Sequence, residues 1–173
     1  ADDRRRDGTR ALLRALRERG VPRIDYLVVG HADRDHSGGG ADILSALDVG
    51  AVAVPPLALD DPALASLRAQ AAARGVPIET VEDGWRALGR DAELRALFPP
   101  RGRRDDPNRA GIVLLARIGS LAALLPGDAD ADVEGELVLA KRIPRIDVLV
   151  VGHHGARGCT TRALLRRAAP RRR

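Results

Sequence analysis

One ten-residue pattern occurs twice in this chain. Pro22-Arg23-Ile24-Asp25-Tyr26-Leu27-Val28-Val29-Gly30-His31 and Pro144-Arg145-Ile146-Asp147-Val148-Leu149-Val150-Val151-Gly152-His153 are near-copies. A short apolar run bounded by proline and glycine reads as a buried strand. Residues 24–29 and 146–151 are therefore expected as two strands of one kind, with Leu27, Val29, Leu149 and Val151 buried. Each strand ends by delivering a histidine. All four histidines lie at these two ends, as His31 and His36 and as His153 and His154. Scattered surface histidines would not be confined in this way, so the two strand ends are candidate ligand positions.

The first end carries the denser chemistry. His31-Ala32-Asp33-Arg34-Asp35-His36-Ser37-Gly38-Gly39-Gly40 places two imidazoles and two carboxylates where a strand gives way to a helix over residues 38–47. Such donors suit a borderline or hard divalent cation. In an extended loop, positions 31, 33 and 35 point to one side and 36 elsewhere. His31 and Asp33 can then hold one ion while Asp35 and His36 reach a second. The glycines let the backbone pass close to the site and start a helix without side-chain obstruction.

The remaining elements follow from periodicity and punctuation. Residues 1–7 are charged and expected to fray. Leu12, Leu13 and Leu16 make an apolar helical stripe over residues 8–19, stopped by Gly20. A strand over 51–54 ends at Pro55-Pro56, and Asp60 or Asp61 caps a helix that has Pro62 in its first turn and runs to Gly75. Residues 77–81 and 92–98 read as strands. Residues 112–117 and 121–125 flank Gly119-Ser120 and read as a β-hairpin. Leu124-Leu125-Pro126-Gly127-Asp128 closes that hairpin. Asp128 is then either the N-cap of a helix over 129–140, with Val133, Leu137 and Val138 on one face, or a metal ligand. Thr160 or Thr161 caps a last helix over 162–169. Between 99 and 109 lies a polar, arginine-rich loop containing Arg101, Arg103 and Arg104.

Composition excludes more than it selects. The chain has 173 residues, enough for a single domain over 1–173 with a real core, and no apolar run approaches a membrane span. One cysteine, Cys159, rules out an internal disulfide and reads as a loop filler rather than a nucleophile. The net charge of +5 invites a nucleic-acid reading. Yet Lys141 is the only lysine among 29 basic residues, a bias that fits GC-rich codons. Aromatics are too few for a stacking platform of the kind single-strand binders use.

With these motifs in order, the chain resembles the metallo-β-lactamase superfamily. Its carriers are His-x-Asp-x-Asp-His-Ser-Gly-Gly, Leu124 to Asp128, and Val151-Gly152-His153-His154-Gly155. Within the superfamily it is similar to the C-terminal domain of ComEC-type competence proteins, the DNA-uptake channels of bacteria. The resemblance implies an α/β fold, the αββα sandwich of the metallo-β-lactamases. It also implies truncation at both ends, because the family's opening hairpin and its last strand and helix find no counterpart. The chain is accordingly read as a piece of a longer protein.

The same resemblance implies a site. His31 and Asp33 go to the first metal, Asp35 and His36 to the second, and Asp128 bridges both. His153 is the last ligand by its place after its strand, with His154 the alternative. Asp33 stands where most of the superfamily has histidine, and a harder donor set makes manganese an alternative to zinc. Asn108 matches an asparagine of the ComEC-type domains, whereas Gly111 stands where they carry serine. Two divalent ions about 3.5–4 Å apart would generate a metal-bound hydroxide that attacks an ester phosphorus or carbonyl carbon. Asp35 is the expected catalytic residue, and Asn108, Arg101, Arg103 and Arg104 the expected substrate contacts.

The implied function is a metal-dependent hydrolase, a phosphodiesterase or nuclease acting on DNA at the extracytoplasmic face of the cell membrane. The alternative is a soluble, cytoplasmic hydrolase of a small ester, lactone or phosphoester. A third class is a non-catalytic remnant that keeps the fold.

Overall fold

The computed structural model describes residues 2–98 and 111–169. Contacts divide the chain into two compact units, Ala1–Thr80 and Val81–Arg173, each with its own sheet and core.

In the first unit, helix α1 (Asp2–Glu18) leads to strand β1 (Arg23–Val28), a single helical turn α2 (Arg34–Ser37) and helix α3 (Gly40–Ala46). Strand β2 (Asp48–Val54), helix α4 (Ala65–Arg74) and strand β3 (Ile78–Thr80) follow. The sheet order is β1-β2-β3, parallel throughout, with Ile24 opposite Val49 and Val52 opposite Ile78. Parallel neighbours require crossovers, which α3 and α4 supply. Central β2 is the most buried strand, with Val52, Ala53 and Val54 fully enclosed, as a parallel strand covered on both faces should be. Leu44, Leu64 and Leu67 complete the core.

Local signals explain the boundaries. Asp61, rather than Asp60, is the cap: its carboxylate accepts the Ala63 N–H at 2.8 Å, ahead of Pro62. Gly75 ends α4 in the left-handed conformation. Helix α1 begins at Asp2 rather than near Gly8. Nothing in residues 2–18 interrupts it, since there is no proline and one interior glycine costs only about 1 kcal/mol. Leu13 and Leu16 pack on the core, whereas Leu12 of the same stripe is exposed.

The second unit is a five-stranded sheet in the order β4-β5-β6-β7-β8. Strands β4 (Arg86–Leu88), β5 (Ala92–Leu97), β6 (Val113–Ile118) and β7 (Leu121–Leu125) are antiparallel in sequence. Helix α5 (Ala131–Leu139) then crosses over to β8 (Val148–Leu149), which lies parallel to β7, and helix α6 (Arg162–Ala168) closes the unit. The β6–β7 hairpin turns through Gly119 at φ +56°, which a two-residue turn of this hand requires. Leu97, Leu124, Leu137, Ile143 and Leu164 form the core. Strand β4 has no counterpart in the sequence reading, because three residues are too few for a period to show.

The second copy of the strand pattern is shorter than expected. Ladder pairing ends at Leu149, Leu149 is half-buried and Val151 is 59% exposed. In the first copy Val29 is buried and Leu27 half-buried. Within the described residues β1 and β8 are both edge strands of their sheets; they differ in pairing, which runs from Arg23 to Val28 in β1 and covers Val148 and Leu149 alone in β8.

Candidate metal centre

The histidine motif is not the extended loop its composition suggests. Residues 34–37 form a helical turn in which the His36 and Ser37 N–H groups both donate to the Asp33 carbonyl at 2.9 Å. The buried Ser37 hydroxyl donates to the Ala32 carbonyl at 2.8 Å and closes the loop from inside. This winding brings the His36 ring to 4.0 Å from that of His31, centroid to centroid, instead of sending it elsewhere. His31 is 3% exposed, and its Nε2 lies 3.5 Å from Asp33 Oδ2. His36 Nε2 lies 3.8 Å from Asp35 Oδ2. Asp33 occupies the N-cap position of α2, yet its side chain makes no capping bond, so its carboxylate stays directed at His31.

The glycines that follow serve packing more than the site. A Cβ on Gly40 would stand 2.7 Å from Leu67 Cδ1 of α4, and one on Gly39 would collide with Thr9 of α1. Close approach of backbone to neighbouring helices is what excludes a side chain there.

The second unit assembles its own set. β7 and β8 run parallel, so their C-terminal ends lie at one edge of the sheet, where α/β proteins commonly bind ligands. Asp128 follows β7, and His153 and His154 follow β8. The His153 N–H donates to the Gly127 carbonyl at 2.9 Å and ties the two loops together. His153 Nε2 is 3.7 Å from Asp128 Oδ2, and His154 Nε2 is 3.9 Å from Asp128 Oδ1. Both histidines sit in the left-handed region, at φ 46° and 52°, which costs a non-glycine residue about 1–3 kcal/mol. Asp128 does not cap α5. Asp130 does, accepting the Asp132 and Val133 N–H groups at 3.0 and 2.9 Å. Asp128 is thus a nearly buried carboxylate (7% exposed) facing two imidazoles.

The donor sets fit a divalent cation. The spacings of 3.7–3.9 Å exceed a hydrogen bond. Two ligand atoms that each lie about 2.1 Å from one ion are themselves about 3–4 Å apart. Cys159 is not a competing nucleophile: burial, then the carboxylates of Glu134, Asp130 and Asp128, push its thiol pKa up, so it stays protonated at neutral pH.

Sequence reasoning missed two residues that shape this region, Ser37 and Glu134. Ser37 was visible only as part of the motif. Glu134 carried no signal, because a glutamate on a helix reads as solvated. Arg101, Arg103, Arg104 and Asn108 lie outside the described residues.

Comparison with known proteins agrees with this architecture. No family model matches the chain. It is 28% identical over 164 residues to ComE operon protein 3 of Bacillus subtilis, an alignment covering 95% of this chain and 21% of that protein. It is 30% identical over 147 residues to Recombination protein 2 of Haemophilus influenzae, covering 85% and 17%. Competence protein ComA of Neisseria gonorrhoeae is 30% identical over 158 residues, covering 90% and 20%. The chain thus spans about a fifth of the length of these curated relatives.

Among solved structures, a motif mutant of a metallo-β-lactamase from Cronobacter sakazakii superposes with a TM-score of 0.58 at 14% identity, covering 93% of this chain and 76% of that one. CmlA, a diiron β-hydroxylase from Streptomyces venezuelae, superposes with a TM-score of 0.54 at 24% identity, covering 76% and 26%. The chain has the metallo-β-lactamase fold. Within that fold, its sequence is similar to bacterial competence proteins of the ComEC type, as its three motifs imply.

Proposed function

We propose that this chain is the metal-dependent hydrolase domain of a DNA-uptake protein and that it cleaves the phosphodiester backbone of DNA. The observation that carries the reading is Asp128. It is a nearly buried carboxylate relieved of capping by Asp130 and set 3.7 and 3.9 Å from two imidazoles. In this reading His31, Asp33, Asp35 and His36 supply one ligand set and Asp128 with His153 or His154 the other, for up to two divalent ions, zinc or manganese. Similarity to competence proteins over most of the chain supports DNA as the substrate.

When bound, two such ions lower the pKa of water toward neutrality and neutralise charge that builds on a phosphoryl group. The protein's own contribution is placement. Asp33 and Asp128 hold carboxylate oxygens toward His31 and toward the His153–His154 pair. Asp35, 61% exposed beside His36, orients the attacking water and takes its proton. Arg101, Arg103, Arg104 and Asn108 contact the phosphate backbone. Backbone contacts carry no base information, so cleavage is sequence-independent. Carboxylate in a histidine's place at Asp33 favours manganese over zinc.

The test is digestion of plasmid and oligonucleotide DNA across a metal series, with Asp35→Asn as control. Manganese-dependent cleavage by the wild type, absent from Asp35→Asn while DNA binding persists, is the expected result. Binding should weaken with salt at a slope of about −0.7 per neutralised phosphate on single strands. Replacing Arg101, Arg103 and Arg104 with alanine should flatten that slope and leave metal content unchanged. Turnover of a simple lactone or phosphoester with no cleavage of DNA would overturn the reading in favour of a small-molecule hydrolase.

A further inference from the structure

Glu134 is the most deeply buried charged residue among those described, at 1% exposure, in the first turn of α5. A buried carboxylate is costly unless its oxygens are satisfied. Here each oxygen accepts one backbone N–H from consecutive residues: Thr160 to Oε1 at 2.6 Å and Thr161 to Oε2 at 2.7 Å. Bonds this short fit an ionised acceptor, and the N-terminal turn of a helix favours its negative charge.

What Glu134 holds is not ordinary loop. Thr160 sits at φ +54°, a conformation a β-branched residue avoids. In that pose its Oγ1 accepts the Gly152 N–H at 2.8 Å. Gly152 opens the turn in which His153 and His154 are themselves left-handed. The His153 N–H in turn donates to Gly127, the residue before Asp128. A continuous path therefore runs from the Glu134 carboxylate through Thr160 to the backbone of the two histidines and on to the aspartate loop. An apolar side chain of similar volume would leave both N–H groups without this acceptor, a cost of about 1–3 kcal/mol for each that is buried. A carboxylate is needed where two adjacent N–H groups of a strained segment must be fixed at once.

We infer that Glu134 is a positioning residue, acting through Thr160 and Gly152 to set the pose of His153 and His154 against Asp128. The inference rests on the reading of those three residues as metal ligands. A glutamine at 134 keeps the volume but offers one acceptor oxygen instead of two, so it should release one of the two N–H groups. Thr160→Ala removes the acceptor for Gly152, whereas Thr160→Ser keeps it.

The experiment is titration of the full chain with cobalt(II), read by the visible absorption of the bound ion, beside circular dichroism and thermal melting. Glu134→Gln should stay folded, lose about tenfold or more in cobalt affinity and change the shape of the visible band. Thr160→Ala should do the same, Thr160→Ser should recover wild-type binding, and Glu134→Gln with Thr160→Ala should lose little beyond either alone. A Glu134→Gln protein that melts lower but binds cobalt with wild-type affinity and spectrum would overturn the inference, leaving Glu134 a structural residue. If Glu134→Gln does not fold, the Thr160 pair decides: wild-type cobalt binding by Thr160→Ala overturns it. A folded wild-type chain that takes up no cobalt overturns the metal reading, and this inference falls with it.

Discussion

Asp128 and Asp130 stand two residues apart after the same strand and do different work. From sequence, an aspartate between Pro126-Gly127 and a helical stretch reads first as a cap and as a ligand only in company with the other motifs, since both roles ask for a short carboxylate at a strand-to-helix junction. Only the backbone path decides, by starting α5 at Ala131 and so giving the cap to Asp130. This separates two effects. Asp130→Ala should cost about 1 kcal/mol of stability and leave metal content unchanged. Asp128→Ala should leave the melting temperature of the metal-free protein nearly unaltered and abolish most metal uptake. Melting curves and elemental analysis of the two variants check both halves. The pair Thr160 and Thr161 divides in the same manner. Thr161 caps α6, accepting the Leu164 N–H at 3.2 Å, and Thr160 turns back to Gly152. A sequence names the residue types at such junctions but not which of two neighbours faces the helix.

At the scale of elements, the repeated strand pattern was the most informative feature and also the most misleading. It correctly marks β1 and β8 as strands that deliver histidines. It cannot tell how far each copy pairs, because that depends on the neighbouring segment. β1 pairs with β2 from Arg23 to Val28, and β8 pairs with β7 over two residues, so Val148, Val150 and Val151 stay exposed. The tie that anchors the end of α5 was equally invisible. Arg142 donates to both carboxylate oxygens of Asp83, at 2.8 and 2.6 Å, and to the Phe98 carbonyl at 2.9 Å. These residues are far apart in sequence, and neither belongs to a motif. Burial alone would push the Asp83 pKa up, but the Arg142 hydrogen bond and charge and the Phe98 N–H bring it below its ordinary value. A carboxylate lowered on folding adds stability above its unfolded pKa and loses it as pH falls through the folded value. Arg142→Ala should therefore destabilise the protein by about 1 kcal/mol at pH 7, because solvent screens the half-exposed carboxylate, and the difference from wild type should shrink as the pH is lowered past the carboxylate range. Urea denaturation of both proteins at pH 7 and pH 3 measures it. An Arg142→Ala penalty that is the same at both pH values would remove the ion pair from the explanation.

At the scale of the whole molecule, the order of elements and the fold were legible because helix and strand signals alternate and the motifs fall between them. No helix among the described residues is long and apolar enough to cross a membrane, in keeping with the hydropathy of the sequence. The winding of residues 34–37 was not legible, since glycine-flanked charged residues suit a loop and a helical turn alike. Nor was the strain at His153 and His154, which depends on tethers from Gly127 and Thr160 rather than on local preference.

The central claim is that the carboxylates and imidazoles gathered at the two strand ends bind divalent metal. Elemental analysis of the reconstituted wild type, of His31→Ala and of Asp128→Ala tests it most directly. The account predicts up to two ions in the folded wild type and a loss of metal in each variant. A folded wild type that holds no metal after reconstitution, or variants that keep the wild-type metal content, would contradict it.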